Sequence, residues 1–335
     1  MSVTIKDIAK AASVSHTTVS RVLNGNPAIS PETSARVLKI AQKMGYTPNA
    51  VAQSLQNRRT YTIGMVVTTI SDPFITNIVE GAEALAHEAG YSLFLCAAHR
   101  DPDREMAVVS TLQRRRVDGI IVTSSRVGAL QRARLEALQV PVALLNQDTA
   151  GSDLYNLTID NEYSAYLAVT HLLELGHRRI AFVHGMNRLY SSNRRLAGYQ
   201  KALENYGIEL DETLIVHPTG GDDYERGHQV WPVVWAQRPT AVFCYNDLIA
   251  IGMMVACKAQ GIRIPEQISI VGFDNIEACE YTTPQLTTIH QPRRRLGRRV
   301  MQMVLDLIDN KPVINDVLPG HLIVRGTTSR VGSRE

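Results

Sequence analysis

The apolar positions of the first forty-five residues recur at helical spacing in three short blocks. Ile5, Ile8, Ala9 and Ala12 form the first stripe, with Thr4 as N-cap. Val19, Val22 and Leu23 form the second, behind Ser15. Val37, Ile40, Ala41 and Met44 form the third, opened by Ser30-Pro31 and stopped by Gly45. The pattern predicts a three-helix head with a small core of Ile8, Val19, Val22, Val37 and Ile40. Val51, Ala52 and Leu55 then share one face of a segment too short to be a stable helix alone in water.

From Tyr61 the period changes. The runs TIGMVV, YSLFLCA, VDGIIVTS and VPVALLN read as strands, separated by helical stretches near 74–89, 103–115 and 128–138. The alternation restarts with RRIAFVHG, TAVFCYN and ISIVGFD. Two such runs predict two similar lobes, each a parallel sheet built from right-handed βαβ units with helices on both faces. The late helix near 292–310 and the final strand LIVRGTT have no local partners, so they are expected to return to the first and second lobe respectively.

The polar face of the second head helix carries His16, Thr17, Ser20 and Arg21 close to its start. Two helices joined by a tight turn, the second polar at its N-terminal end, have the layout of a helix-turn-helix that reads base edges in the major groove. Arg21 can make a bidentate contact to guanine. The alternative is an ordinary pair of surface helices. Charge separates the two readings. Residues 1–60 hold eight Lys/Arg against Asp7 and Glu32, a net of +6, whereas the remainder holds 27 basic against 30 acidic residues. A basic head on a mildly acidic body fits a DNA-facing end.

The stretch VSHTTVSRVLNGNPAISPETSARVLKIAQKMGYTPNAVAQSL resembles the DNA-binding head of the LacI/GalR (lactose and galactose repressor) family, and the likeness runs to the end of the chain. The fold it implies is an all-α helix-turn-helix head on an α/β, two-lobed body like a periplasmic sugar-binding protein. The head spans 1–47, a hinge helix and linker 48–60, and an effector-binding and dimerisation body 61–335. The first lobe is expected at about 61–160 and 291–319, the second at about 161–290 and 320–335. The resemblance implies base contacts from His16, Thr17 and Arg21, and from Ala52 and Leu55 of a hinge helix that folds in the minor groove. Leu55 matches the leucine wedged into the central base step. Backbone contacts are expected from Thr4, Ser15, Thr18, Asn24 and Asn49, which position the head without carrying sequence information. Two-fold symmetry implies a homodimer on palindromic double-stranded DNA. Where relatives have glycine between the head helices, this chain has Ser13; a positive φ there costs about 1 kcal/mol.

Ligands of open parallel sheets bind beyond the carboxyl ends of the strands. There the sequence places Thr68, Thr69, Asp72 and Phe74, then Ser124 and Ser125, then Asn146 and Asp148. The second lobe adds Tyr190, Ser191 and Arg195, then Asn246 and Asp247, and finally Asp274. Carboxylates, amides, hydroxyls and arginines with an aromatic ring nearby suit a neutral sugar or polyol. The family motifs SDPF, RRLAGY, YND and GFDN carry ligand contact over to Asp72, Phe74, Arg195, Asn246 and Asp274, beside Asn146. Asp274 or Asp247 could instead cap a helix, and Arg195 could be a structural ion pair. Purine-binding relatives place an arginine where this chain has Leu189, which disfavours a purine corepressor. The stacking aromatic of many relatives is replaced by Asp222, with Tyr224 as a possible substitute.

The expected product is a cytoplasmic transcriptional regulator, most simply a repressor, switched by a small carbohydrate-like effector and needing no cofactor or metal. The alternative is a catabolite-control type whose body docks a phosphocarrier protein. No apolar run reaches the 18 residues of a membrane span, and no nucleophile elbow, P-loop or H-E-x-x-H motif points to an enzyme. Cys96, Cys244, Cys257 and Cys279 are widely spaced, as buried thiols would be. Asn156 matches a glycosylation sequon by coincidence. The runs Arg114–Arg116 and Arg293–Arg295 read as solvated faces or dimer ion pairs, and His290 in LTTIHQP as structural.

Overall fold

The computed structural model describes residues 3–23, 25–46, 59–99, 101–123, 129–147, 152–185 and 190–332. Asn24, Asn49, Ala52, Leu55, Ser124, Ser125, Asp148 and Leu189 lie outside the described residues. The chain divides into two compact units, residues 1–60 and 61–335.

In the first unit α1 spans Ile5–Ala12, α2 His16–Leu23 and α3 Pro31–Lys43. Thr4 and Asp7 form a reciprocal capping box at α1, so two otherwise orphaned N–H groups are satisfied. Ser15 Oγ accepts the Thr18 N–H (3.0 Å) and Ser30 Oγ the Thr33 N–H (3.3 Å), which start α2 and α3. Ser13 ends α1 in the left-handed region (φ 51°, ψ 45°), the conformation that made glycine the expected residue. Gly45 (φ 65°) follows α3. Ile8, Ala9, Ala12, Val19, Val22, Val37 and Ala41 form the buried core, with Ile40 partly buried against it.

The second unit contains two six-stranded sheets. The first has the order β11–β5–β4–β3–β1–β2 and is parallel throughout. Its strands are β1 Thr62–Val67, β2 Ser92–Ala97, β3 Gly119–Val122, β4 Val142–Leu145, β5 Tyr155–Ile159 and β11 Asp316–Leu318. The helices between them are α4 Pro73–Glu88, α5 Pro102–Arg114 and α6 Ala129–Glu136.

The second sheet has the order β12–β10–β9–β8–β6–β7. Its strands are β6 Ile180–Val183, β7 Ile215–Val216, β8 Ala241–Cys244, β9 Ser269–Asp274, β10 Thr287–His290 and β12 His321–Ile323. Its helices are α7 Asn161–Glu174, α8 Tyr190–Asn205, α9 Asp223–Ala236, α10 Asp247–Ala259 and the short α11 Ala278–Tyr281. β12 runs antiparallel to β10, so this sheet is not wholly parallel. The chain passes between the sheets after β5, after β10 and between β11 and β12.

Three helix pairs pack at backbone distance, each through glycine. A Cβ on Gly297 of α12 (Arg293–Ile308) would lie 1.9 Å from the Ile78 carbonyl of α4, and one on Gly81 2.1 Å from the Arg294 carbonyl. Gly198 seats α8 on α7, where its Cβ would meet the Glu162 carbonyl at 2.1 Å. Gly227 and Gly252 do the same for α9 and α10. Ion pairs Arg294–Glu80 and Arg298–Glu88 flank the α12–α4 contact, each at 2.8 Å. Arg294, from the basic run that read as a solvated face or dimer contact, is thus paired within its own chain.

Cys244, Cys257 and Cys279 are buried free thiols and Cys96 is half-buried. The Asn156 side chain is buried and donates to the Gln147 carbonyl (2.8 Å), which removes it as a sugar acceptor. Among the described residues no helix is long and apolar enough to cross a membrane.

Candidate functional site

The strand ends of the second sheet bring a buried polar cluster together. Arg195, on α8, is 4% exposed. Its Nε donates to Asn161 Oδ1 (3.0 Å), and its Nη1 donates to the carbonyl of Tyr245 just after β8. The guanidinium lies over the Phe273 ring at 3.6 Å and the Tyr245 ring at 4.5 Å from their centroids, a placement that favours a weakly hydrated, planar cation. Its Nη2 stands 3.7 Å from Asp274 Oδ1. Arg195 is therefore an ion-paired, buried residue, one of the two alternatives that the sequence left open.

Asp274 ends β9 at φ 122° and is followed by Asn275 at φ 52°, two consecutive non-glycine residues in a costly part of backbone space. Side chains hold them there. Gln291 Nε2 donates to Asp274 Oδ1 (2.6 Å), while Asn275 is bound by Arg325 (2.9 Å) and His290 (3.0 Å). Asp274 caps no helix. Its Oδ2 has no hydrogen-bond donor among the described residues. Burial pushes its carboxyl well above the usual range; the Arg195 charge pulls it back, and the nearby Asp72 charge pushes it further up.

Asn246 caps α10, accepting the Ile249 N–H at 3.0 Å, and its Nδ2 donates to Asp223 Oδ2 (2.8 Å). Asp223 is the residue that sequence reasoning missed. It is 8% exposed and its Oδ1 accepts from Arg226 (2.9 Å). Its neighbour Asp222 only caps α9 in a box with Glu225. The available signal was position: the first residue of α9 faces the end of the adjacent strand. Tyr224 is 39% exposed. Asp247, also after β8, is wholly buried and accepts from the Ile276 N–H (2.9 Å) and the Thr288 hydroxyl (2.5 Å), so it braces the ends of β9 and β10.

The strand ends of the first sheet supply Asp72, which caps α4 by accepting the Phe74 N–H at 2.9 Å, and the half-buried Phe74. Asn146 (φ 56°) turns its Oδ1 onto β5, accepting from Thr158 Oγ1 (3.0 Å) and the Ile159 N–H (3.2 Å). That leaves its amide N–H groups for any partner in the cleft. Ser191 Oγ meets the Tyr245 hydroxyl at 3.0 Å. His290 packs on His321 with ring centroids 4.7 Å apart. Among the described residues no group of three or more metal-ligating side chains is gathered.

In the first unit, α2 buries Val19 and Val22 and leaves His16, Thr17 and Arg21 exposed. Thr4 commits its hydroxyl proton to Asp7 (2.7 Å). Ser15 and Thr18 share one hydroxyl bond at 2.9 Å, so one of their two protons remains free for an outside acceptor.

Residues 4–49 match the model of the bacterial regulatory proteins of the lacI family, and residues 169–328 a periplasmic binding protein-like domain. The chain is 35% identical to the HTH-type transcriptional repressor PurR of Vibrio vulnificus (strain CMCP6), over 98% of this chain and 99% of that protein. Its fold is similar to that of the lac repressor dimer bound to operator and the anti-inducer ONPF: TM-score 0.89, 30% identity, 98% of this chain and 100% of that one. It is also similar to a CelR–cellobiose complex: TM-score 0.74, 29% identity, 97% and 99% covered.

Proposed function

The chain belongs to the LacI family of bacterial regulatory proteins and is a DNA-binding transcriptional repressor, not an enzyme; from that premise we propose that it binds a palindromic operator as a homodimer and is switched by a neutral polyhydroxyl effector held between its two sheets. The exposed His16–Thr17–Arg21 face reads bases, with Ala52 and Leu55 at the hinge, while Thr4, Ser15, Thr18, Asn24 and Asn49 serve the phosphates. It works in the cytoplasm, where its operator lies.

The observation that carries the effector reading is the buried cluster of mutually bonded polar side chains at the ends of β8 and β9. Arg195 faces Asp274 and Arg226 faces Asp223, so both arginines already have an acid beside them and a neutral ligand adds no unmatched charge. Asp274 Oδ2 offers an unused acceptor, the Asn146 amide offers donors, and the half-buried Phe74 offers an aromatic ring. That mixture suits hydroxyl groups around an apolar ring. The CelR structure is described as a cellobiose complex, which supports a carbohydrate.

A thermal-shift screen against sugars, polyols and nucleobases tests the proposal. One carbohydrate is expected to raise the melting temperature, and at about 100-fold over Kd the gain is roughly 3 kcal/mol. Asp274→Ala should abolish the shift. Stabilisation by a nucleobase, or by none of the panel, would overturn the effector assignment.

A further inference from the structure

We propose that Arg293 is a positioning residue that straps the two cleft-facing loops together, tying Pro73 of one lobe to Asn275 of the other and so setting how far the unliganded body is closed. The assignment of those loops to an effector cleft rests on the function proposed above; the strap itself is geometric.

Arg293 is the first residue of α12 and follows closely on β10, which ends at His290 where the chain leaves the second sheet for the first. Its Nη2 donates to the Asn275 carbonyl (2.7 Å) and its Nη1 to the Pro73 carbonyl (3.3 Å). Both anchors are rigid. Pro73 opens α4, which is locked against α12 by Gly81 and Gly297. Asn275 is held in its left-handed conformation by Arg325 and His290, and Arg325 is itself fixed to the Leu286 carbonyl (2.9 Å).

The two carbonyls each adjoin a candidate ligand carboxylate, Asp72 and Asp274, which come from opposite lobes. Asp72 presses the Asp274 carboxyl toward its neutral form, and the Arg293 charge opposes that pressure. Drawing the loops together therefore brings like charges together, and Arg293 offsets the repulsion while bonding both backbones. The two bonds leave different nitrogens of a rigid planar fork, and a lysine ammonium supplies the charge and donors from one atom only, without that fixed spacing.

The experiment measures the lobe-to-lobe distance distribution by pulsed electron spin resonance in the effector-free chain. Spin labels are placed at Glu83→Cys on α4 and Glu204→Cys on α8 in a Cys96→Ser background. Labelled chain is diluted into unlabelled chain so that only intrachain distances count. Arg293→Met is expected to shift the distribution or roughly double its width, Arg293→Lys to fall between it and the parent, and Arg294→Met, whose partner Glu80 lies in the same lobe, to match the parent. Should Arg293→Met fail to fold, Arg293→Lys against Arg294→Met carries the same comparison. An unchanged distribution in the Arg293 variants, or an equal change in Arg294→Met, overturns the strap. Because no effector is added, this result stands apart from whether the cleft takes a carbohydrate.

Discussion

Ser13 occupies the left-handed turn between α1 and α2 without the conformational freedom of glycine, and its side chain is exposed. Ser13→Gly should therefore stabilise the head by about 1 kcal/mol. The expected readout is a roughly fivefold slowing of hydrogen exchange at the Ile8 and Val19 amides; unchanged exchange would show that the turn carries no strain. At Asp274 the opposite logic holds. There the unfavourable backbone and the buried carboxylate are kept by Gln291, Arg195 and Arg325-bound Asn275, as expected where strain serves a site. The Ser13 cost was legible through the family resemblance, because relatives have glycine at this turn. The positive φ values at Asp274 and Asn275 were not, because the side chains that hold them come from residues 195, 290, 291 and 325, far along the chain.

The helices are seated by glycines that propensity alone would disfavour. Gly297 is the sharpest case: an added Cβ 1.9 Å from the Ile78 carbonyl forces α12 away from α4. Gly297→Ala should cost about 2 kcal/mol, seen as a lower denaturation midpoint of the body, and an unchanged midpoint would show that the helices can part freely. Apolar period foretold α4, α5 and the return of α12 to the first sheet, since an amphipathic helix must find a partner and none was adjacent in sequence. It did not foretell that the last strand, β12, would run antiparallel, because direction depends on which lobe the preceding segment leaves. Nor did it single out Asp223. A lone aspartate at a helix start looks like a cap, and only the fold turns it toward Asn246.

For the whole molecule, four histidines set an acid limit. Burial holds His171, His177, His184 and His290 below the ordinary imidazole value. The unfolded chain then binds more protons than the folded one, so stability is kept above about pH 6.5 and is lost as the pH falls through that value toward the lower folded-state values. His177, bonded to Thr240, Ser269 and the Ser329 carbonyl, is expected to contribute: the melting temperature should fall steeply from pH 7 to about 5, and less steeply in His177→Asn. A pH-independent melting temperature would contradict this. The central claim is that a basic, three-helix head reads sequence through one exposed helical face. Its most direct test is a titration of the full chain on a palindrome selected in vitro and on random duplex, with Arg21→Ala alongside. The expected result is a specificity ratio reduced roughly 5- to 150-fold with a much smaller change on random DNA, and an unchanged ratio, or an equal loss on both duplexes, would contradict the account.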